Sequence, residues 1–248
     1  MKLRLDLLLV RRGLVESREK AQALIMAGQV DLDGRAAAKA GTMVSEHADV
    51  RVIGPDHPWV SRGGVKLAHA LEVFGLDVTG RLGLDVGAST GGFTDVLLAG
   101  GATRVIAIDV GHGQLHWKLR TDPRVTAIEG LNARHLTRAM LPDLGPGAGI
   151  VTVDVSFISL ALILPGLLDV AAPDADLVAL VKPQFEAGRR DAPKGVVRDP
   201  AVHARVQSEI TAKAAAIGWT RLAVTPSPIV GAKGNREFLM HFRPGPRP

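Results

Sequence analysis

The sequence predicts an α/β protein with a seven-stranded, mostly parallel sheet and a small α+β domain in front of it. Three observations lead to this fold class. Segments with the apolar patterns of strands and helices alternate from Arg81 onwards, which is typical of a doubly wound sheet. A glycine-rich turn follows the first of these strands. A Pro- and Gly-rich break over 54–60 separates the sheet from the residues before it.

The first 56 residues predict two short helices followed by strands. Leucines at positions 3–9 lead to a helix stop at Gly13, and Ser17 is placed to cap a second helix that ends at Gly28. Strands are expected over 30–32 and 50–52, with a hairpin turn at Asp33-Gly34. We therefore expect one domain over 1–56, a linker over 57–60 and a second domain over 61–248.

The second domain contains the predicted sheet. The strands are expected over 81–86, 103–109, 124–129, 149–154, 176–182, 220–225 and 236–242. The helices are expected over 66–74, 91–100, 114–120, 133–140, 159–169 and 201–217. Ligands of such sheets bind at the carboxyl ends of the strands, where the strand order reverses. We therefore expect the functional residues at these strand ends.

The turn after the first sheet strand permits three interpretations. A dinucleotide-binding loop would need a second glycine where Ser89 stands. Residues 87–91 match the Gly-x-Ser-x-Gly elbow of a serine hydrolase, with Ser89 as nucleophile and His203 or His241 as its partner. The third interpretation is the first loop of an S-adenosylmethionine (SAM) methyltransferase. Asp85 favours it, because an acid that closes the strand can meet the ammonium of a methionine moiety.

Polar residues at the next strand ends fit the same ligand. Asp109 is placed to accept hydrogen bonds from ribose hydroxyls, and Asn132 to contact the adenine edge. Asp154 and Lys182 end the fourth and fifth strands, and Pro183 keeps the backbone of Lys182 extended, so both side chains point into one cleft. The predicted cofactor-binding residues are Asp85, Gly87, Ala88, Ser89, Thr90, Gly91, Gly92, Phe93, Asp109, Asn132 and Asp154.

Composition excludes several classes of site. The chain has no cysteine, so it has neither disulfides nor thiolate metal sites. His112 and His116 lack a third ligand at metal spacing, and no metal site is expected.

Charged residues near the N-terminus argue against a signal peptide, and the longest apolar run, 158–168, is too short to span a bilayer. We expect a cytoplasmic protein. A net charge of +5 permits a polyanionic partner.

Two resemblances follow from these residues. The N-terminal pattern resembles an S-four-like RNA-binding domain, through Arg4-Leu5-Asp6, Gly13-Leu14, Ser17-Arg18, Ala21, Leu24-Ile25, Gly28-x-Val30 and Asp33-Gly34. Nearly the whole chain resembles the TlyA family, through Ser61-Arg62-Gly63, Lys66-Leu67, the loop from Asp85 to Thr94, Asp109-Val-Gly, Asn132-Ala-Arg, Asp154-x-Ser-Phe-Ile-Ser-Leu, Val181-Lys-Pro-Gln-Phe-Glu and Gly234-Asn-x-Glu237.

The TlyA resemblance implies a SAM-dependent 2′-O-methyltransferase of ribosomal RNA, acting on a cytidine ribose, with a Rossmann-like, FtsJ-like domain. Its partners would be ribosomal RNA or ribosomal subunits; the oligomeric state stays open. The family's catalytic set would fall on Lys66, Asp154, Lys182 and Glu237, with Lys182 as general base. The residues predicted to contact RNA are Arg4, Arg11, Arg12, Arg18, Lys20, Arg62, Arg189 and Arg190. The family also carries an old hemolysin label, so a lytic, membrane-active protein is an alternative, as is the serine hydrolase.

Overall fold

A computed structural model describes residues 2–26, 28–37, 39–52, 57–188 and 190–245. The chain divides into two compact units, Met1–Pro58 and Trp59–Pro248. The division falls inside the predicted linker, and Trp59 and Val60 pack with the larger unit. No helix of the described residues has the length and apolar character that a membrane span requires.

The small unit has two helices and two small sheets. Its elements are β1 (Lys2–Arg4), α1 (Leu5–Arg11), α2 (Arg18–Met26), β2 (Val30–Leu32), β3 (Arg35–Ala36), β4 (Met43–Ser45) and β5 (Val50–Val52). Ser17 caps α2 as predicted, since its hydroxyl accepts a hydrogen bond from the Lys20 amide. Asp33 and Gly34 both have positive φ, which suits the tight hairpin between β2 and β3. The sequence did not indicate β1 and β4, which pair only with each other.

Asp6 is the buried polar centre of the small unit. Its side chain is fully buried at the start of α1. Its carboxylate accepts hydrogen bonds from the side chains of Arg4, Arg18 and Gln22. The hydrogen bonds from Arg4 hold the pKa of Asp6 well below its usual range. Asp6 therefore joins the two helices and orients two of the arginines that were predicted to contact RNA.

The larger unit alternates helices and strands as predicted. Its elements are α3 (Gly63–Phe74), β6 (Leu82–Val86), α4 (Gly92–Ala99), β7 (Arg104–Ile108), α5 (Trp117–Arg120), β8 (Val125–Ile128), β9 (Ala148–Val153), α6 (Leu164–Val170), β10 (Ala171–Val181), α7 (Pro183–Glu186), α8 (Pro200–Ala215), β11 (Trp219–Pro226) and β12 (Phe238–Pro244).

The seven strands form one sheet in the order β11-β12-β10-β9-β6-β7-β8. Five of them, β10, β9, β6, β7 and β8, run parallel to one another, and β12 is antiparallel to both β10 and β11. The predicted fold class is therefore confirmed. The strand order reverses at β6, because its chain successor β7 lies on one side and β9 lies on the other. The glycine-rich turn after β6 thus lies at the switch point where a ligand is expected.

Helices cover both faces of the sheet. Alternate strand residues, among them Leu84, Ile106 and Val151, pack on one face with residues of α6 and α8. Residues of the opposite parity, such as Ile150, pack on the other face with α3 and α4. The period of two along each strand produces these two apolar layers.

Several predicted helices are shorter than expected. The helix expected over 114–120 is only α5, and 133–140 forms two single 3₁₀ turns, Ala133–His135 and Arg138–Met140. The helix expected over 159–169 is a 3₁₀ turn followed by α6, whose first turn contains Pro165. Helix α7 was not predicted. In the last of these segments Pro165 and Gly166 explain the interruption, because proline cannot donate the backbone hydrogen bond that a helix interior requires.

Candidate functional site

Two cavities open at the carboxyl ends of the central strands. One has a volume of about 530 Å³ and is lined by α3, the glycine-rich turn, Asp154, Lys182 and the segment 229–233. The second, also about 530 Å³, is lined by the turn, Asp109, Asn132 and the segment 154–158. They share Gly87, Ser89, Asp154 and Ser156 in their walls. The two cavities therefore form adjoining parts of one cleft.

The glycine-rich turn needs its glycines for steric reasons. Gly87 has a φ of 80°, and a Cβ there would lie 2.5 Å from the carbonyl oxygen of Asp154. Gly91 has a φ of 93°, and a Cβ there would lie 2.3 Å from Leu119. Helix α4 begins directly after this turn. Because the first amides of a helix lack intrahelical partners, the turn offers hydrogen-bond donors to a ligand in the cleft.

Asp85 lies behind the turn and does not line the cleft. Its carboxylate is fully buried and accepts hydrogen bonds from the amide and hydroxyl of Thr94 and from the hydroxyl of Thr152. The register explains the last contact, since Asp85 lies opposite Thr152 in the β6–β9 pair. The structure therefore assigns Asp85 a role in holding the start of α4. The direct contact with a methionine ammonium expected from the sequence is not what its surroundings provide.

Burial raises the pKa of Asp85 to about 6, so its ionisation opposes folding. The stabilising contribution of the protonated form is complete below pH 4 and is lost as the pH rises through 6. An Asn at this position does not titrate, and it can bond both threonines. We take the free energy of unfolding of Asp85→Asn minus that of the native chain. This difference should be about 2–3 kcal/mol more favourable to the variant at pH 7 than at pH 4.

Urea denaturation at each pH, followed by tryptophan fluorescence, measures this difference. All three tryptophans lie in the larger unit, so the signal reports on that unit alone. Asp174→Asn, at an exposed position of β10, serves as the control. A stability difference for Asp85→Asn that does not change with pH would show that the buried carboxyl does not titrate in this range.

Asp109 and Asn132 both line the second cavity, as the sequence predicted for a nucleoside site. The Asp109 carboxylate accepts hydrogen bonds from the amides of Ser89 (2.8 Å) and Gly111 (2.7 Å), so it joins the end of β7 to the turn. Each of its oxygens keeps a further lone pair for a ribose hydroxyl. Asn132 caps a 3₁₀ turn through its Oδ1, which leaves its amide NH₂ available to a ligand.

Asp154 and Lys182 meet across the floor of the first cavity. The Lys182 ammonium lies 2.5 Å from Asp154 Oδ1. It donates a hydrogen bond to the Ser156 hydroxyl at 2.9 Å. Asp154 Oδ1 has no hydrogen-bond partner among the described residues, so its contact with Lys182 is an ion pair. Ser159 caps the 3₁₀ turn that follows, and Ser156 orients the lysine.

Lys66 and Glu237 form a second, more buried pair. The Lys66 ammonium donates to Glu237 Oε2 at 2.6 Å, and both residues are less than one tenth exposed. Lys66 lines the first cavity together with Asp154 and Lys182. Glu237 precedes β12, and a Cβ on Gly231 would lie 2.0 Å from its carboxylate. The structure therefore brings all four predicted catalytic residues together, with Gly231 leaving room for Glu237.

The surroundings of Ser89 do not support a hydrolase. His203 is buried, packs against Phe238 and has its Nε2 at the carbonyl of Val197. His241 is buried and bonds Asp176. Both candidate histidines thus have other partners, whereas a nucleophilic serine needs a base within hydrogen-bond reach.

The arginines predicted to contact RNA have different surroundings. Arg4 and Arg18 bond Asp6, Arg12 donates to the carbonyls of Glu46 and Ala48, and Arg11 lies 3.7 Å from Glu46. Lys20, Arg62 and Arg190 are exposed. Arg189 lies outside the described residues. The described side chains of this set reach the surface, but the first four already have partners in their own unit.

Sequence reasoning missed two parts of the site. The segment 229–233 forms a wall of the first cavity. In the sequence, only the glycines at 231 and 234 mark a turn there. Glu186 accepts hydrogen bonds from the Ser159 hydroxyl (2.6 Å) and the Leu160 amide (2.8 Å). It therefore connects the segment after Asp154 to α7, which begins next to Lys182.

Comparisons with known proteins agree with this geometry. The FtsJ-like methyltransferase family matches residues 59–244, and the S4 domain family matches residues 3–50. The chain is 49% identical to the 16S/23S rRNA (cytidine-2′-O)-methyltransferase TlyA of Mycobacterium tuberculosis, over 97% of this chain and 89% of that protein. It is 41% identical to Hemolysin A of Brachyspira hyodysenteriae, over 97% and 99% of the two chains.

A solved structure has the same architecture. A protein described as a hemolysin from Streptococcus thermophilus superposes with a TM-score of 0.78 at 43% identity, covering 100% of this chain and 90% of that one. Relatives named as methyltransferases and relatives named as hemolysins thus both match this chain over its two domains. The chain belongs to the TlyA family of FtsJ-like, SAM-dependent methyltransferases.

Proposed function

We propose that this protein methylates the 2′-hydroxyl of a cytidine ribose in ribosomal RNA, in the cytoplasm. The observation that carries the proposal is the first cavity, in which Lys66, Asp154 and Lys182 meet beside the glycine-rich turn. The second cavity has the residues that suit a nucleoside, Asp109 and Asn132. The two adjoining spaces suit a cofactor and an acceptor that must lie in line.

SAM supplies a methyl group that its sulfonium already activates, so the residues must prepare the acceptor. A ribose hydroxyl is a weak nucleophile until its proton begins to leave. Lys182, as the neutral amine, accepts that proton. Asp154 and Ser156 hold the amine at the floor of the cavity, since both contact its nitrogen. The proton thus moves from the hydroxyl oxygen to Lys182 Nζ as the oxygen takes the methyl.

Lys66 provides a fixed positive charge near the reacting groups. Its pairing with Glu237 orients it, because both side chains are buried and bonded to each other. A cation at this place stabilises negative charge on the acceptor oxygen. Lys66 therefore assists the proton transfer without accepting the proton itself.

The S4 domain supplies contacts to RNA. Such contacts from Arg and Lys go mainly to phosphates and position the protein without reading bases. Lys20 and Arg11 are exposed on the two helices of the small unit. The name of the M. tuberculosis relative, at 49% identity, supports ribosomal RNA and cytidine as the targets.

Transfer of tritiated methyl groups from SAM to isolated ribosomal subunits that lack the modification tests this function. We expect incorporation into RNA, and mapping by primer extension at low nucleotide concentration should place it on the 2′-oxygen of a cytidine. Naked RNA and fully modified subunits are the controls. Transfer to a base or to protein, or no transfer to either subunit, would contradict the proposal.

A further inference from the structure

The rim of the first cavity contains two cations whose role the proposed chemistry does not explain. Arg62 lies directly before α3, and Lys233 lies in the segment 229–233; both line the cavity that contains Lys66, Asp154 and Lys182. Both side chains are exposed. The two elements that carry them approach each other, because the Arg62 guanidinium lies 3.4 Å from the Val230 carbonyl.

Among the described residues, these two cations have no acidic partner. Elsewhere in the larger unit, cations close to the cavity are paired, as Lys66 is with Glu237 and Lys182 with Asp154. Within the described ranges, neither Arg62 nor Lys233 forms an ion pair, and each contacts only a backbone carbonyl, at 3.4 and 3.5 Å. Since the two carboxylates of the site are already neutralised, the rim adds an excess of two positive charges.

The backbone at Lys233 is held in an unfavourable conformation. Its φ is 56° and its ψ is 20°, in the left-handed region that non-glycine residues rarely adopt. Such a conformation persists only where the surroundings impose it, and it often occurs at ligand sites.

Asn235 imposes this conformation. It is buried, its Oδ1 accepts from the Val197 amide, and its Nδ2 donates to the carbonyls of Ala232 (2.9 Å) and Gly195 (3.0 Å). The Gly234 amide also bonds the Gly231 carbonyl. Lys233 is therefore the tip of a rigid turn that projects a cation at the cavity edge.

We propose that Lys233 and Arg62 together bind the phosphate on the 3′ side of the ribose that is methylated. This inference rests on the proposed function, because it concerns the same acceptor. In RNA that phosphate is attached to the carbon next to the one that carries the reacting hydroxyl. A phosphate takes a bidentate contact from a guanidinium and a point charge from an ammonium. Holding it adds to the affinity for the acceptor strand without selecting a base.

Single-turnover methylation of unmodified ribosomal subunits at increasing subunit concentration tests the proposal. For Lys233→Gln we expect a half-saturating subunit concentration about 10-fold higher and a saturating rate within about twofold of the native enzyme. The slope of log K for subunit binding against log salt concentration should become less steep by about one. Lys233→Arg should remain near the native values. Calorimetric binding of SAM should not change for either variant. Arg62→Gln should resemble Lys233→Gln.

Lys213→Gln is the matched control, because Lys213 is exposed on α8 and lies outside both cavities. If Lys233→Gln behaves like this control, or lowers only the saturating rate, the phosphate contact is wrong while the methylation itself stands. If the native enzyme transfers no methyl group to RNA, the proposed function fails and this inference fails with it.

Discussion

Lys182→Ala is expected to lower the single-turnover rate of methyl transfer by a factor of about 100 to 10,000, the usual contribution of a general base. Lys182→Arg should be nearly as slow. The guanidinium keeps the positive charge beside Asp154, but it does not release its proton and cannot accept the one on the ribose. Rapid quenching with tritiated SAM and saturating subunits measures the rate of the chemical step.

Two further measurements separate catalysis from binding. SAM binding by calorimetry should change little in either variant, because Lys182 lines the first cavity and not the second. At saturating SAM the single-turnover rate of both variants should stay low, which separates the chemical step from cofactor binding. If Lys182→Arg retains near-native activity, the lysine acts through its charge and is not the base.

Asp176→Ala is expected to reduce the free energy of unfolding of the larger unit by about 3–5 kcal/mol, as removal of one partner of a buried ion pair does. Asp176 is 1% exposed, and its carboxylate bonds Arg81, His241 and Arg243, each at 2.7 Å. Its loss leaves these groups facing an empty, buried position. Arg243 is half-exposed and can turn to water, so the smaller end of the range is expected.

Acid should reduce this difference. Burial acts to raise the pKa of Asp176, but the hydrogen bonds from His241, Arg243 and Arg81 outweigh it and hold the pKa well below its usual range. The resulting stabilisation is present at neutral pH; its loss begins as the pH falls below about 4 and is complete only below the lowered pKa of Asp176. Urea denaturation at pH 7 and pH 3.5 measures it, with Asp174→Ala as an exposed neighbour for comparison. An equal effect of both substitutions would mean that the buried pairs contribute nothing.

The sequence predicts the parts of this structure that local pattern determines. The alternating apolar residues of β6, β7 and β9 fix both faces of each strand, and the glycines at 87 and 91 mark a turn that no other residue tolerates. Asp109, Asp154 and Lys182 follow from their places at the ends of parallel strands, since such ends meet at one edge of a sheet. These residues do meet there.

What the sequence does not predict depends on contacts between distant segments. The side chain of Asp85 turns towards Thr152, 67 residues away, because of the register between β6 and β9. Ser156 bonds Lys182, 26 residues away. The conformation of 231–234 depends on Asn235 and its bonds to 195–197. A residue's neighbours in the chain do not determine which of these partners it finds.

The antiparallel strand β12 lies between β10 and β11, and Glu237 precedes it directly. The counter-ion of Lys66, a residue of the third helix, is therefore supplied 171 residues later in the chain. During translation the first four strands of the sheet to emerge can pair while this lysine still has no partner. A nascent chain on its ribosome would remain catalytically incomplete until synthesis is nearly finished, so premature termination anywhere before that carboxylate should yield an inert product.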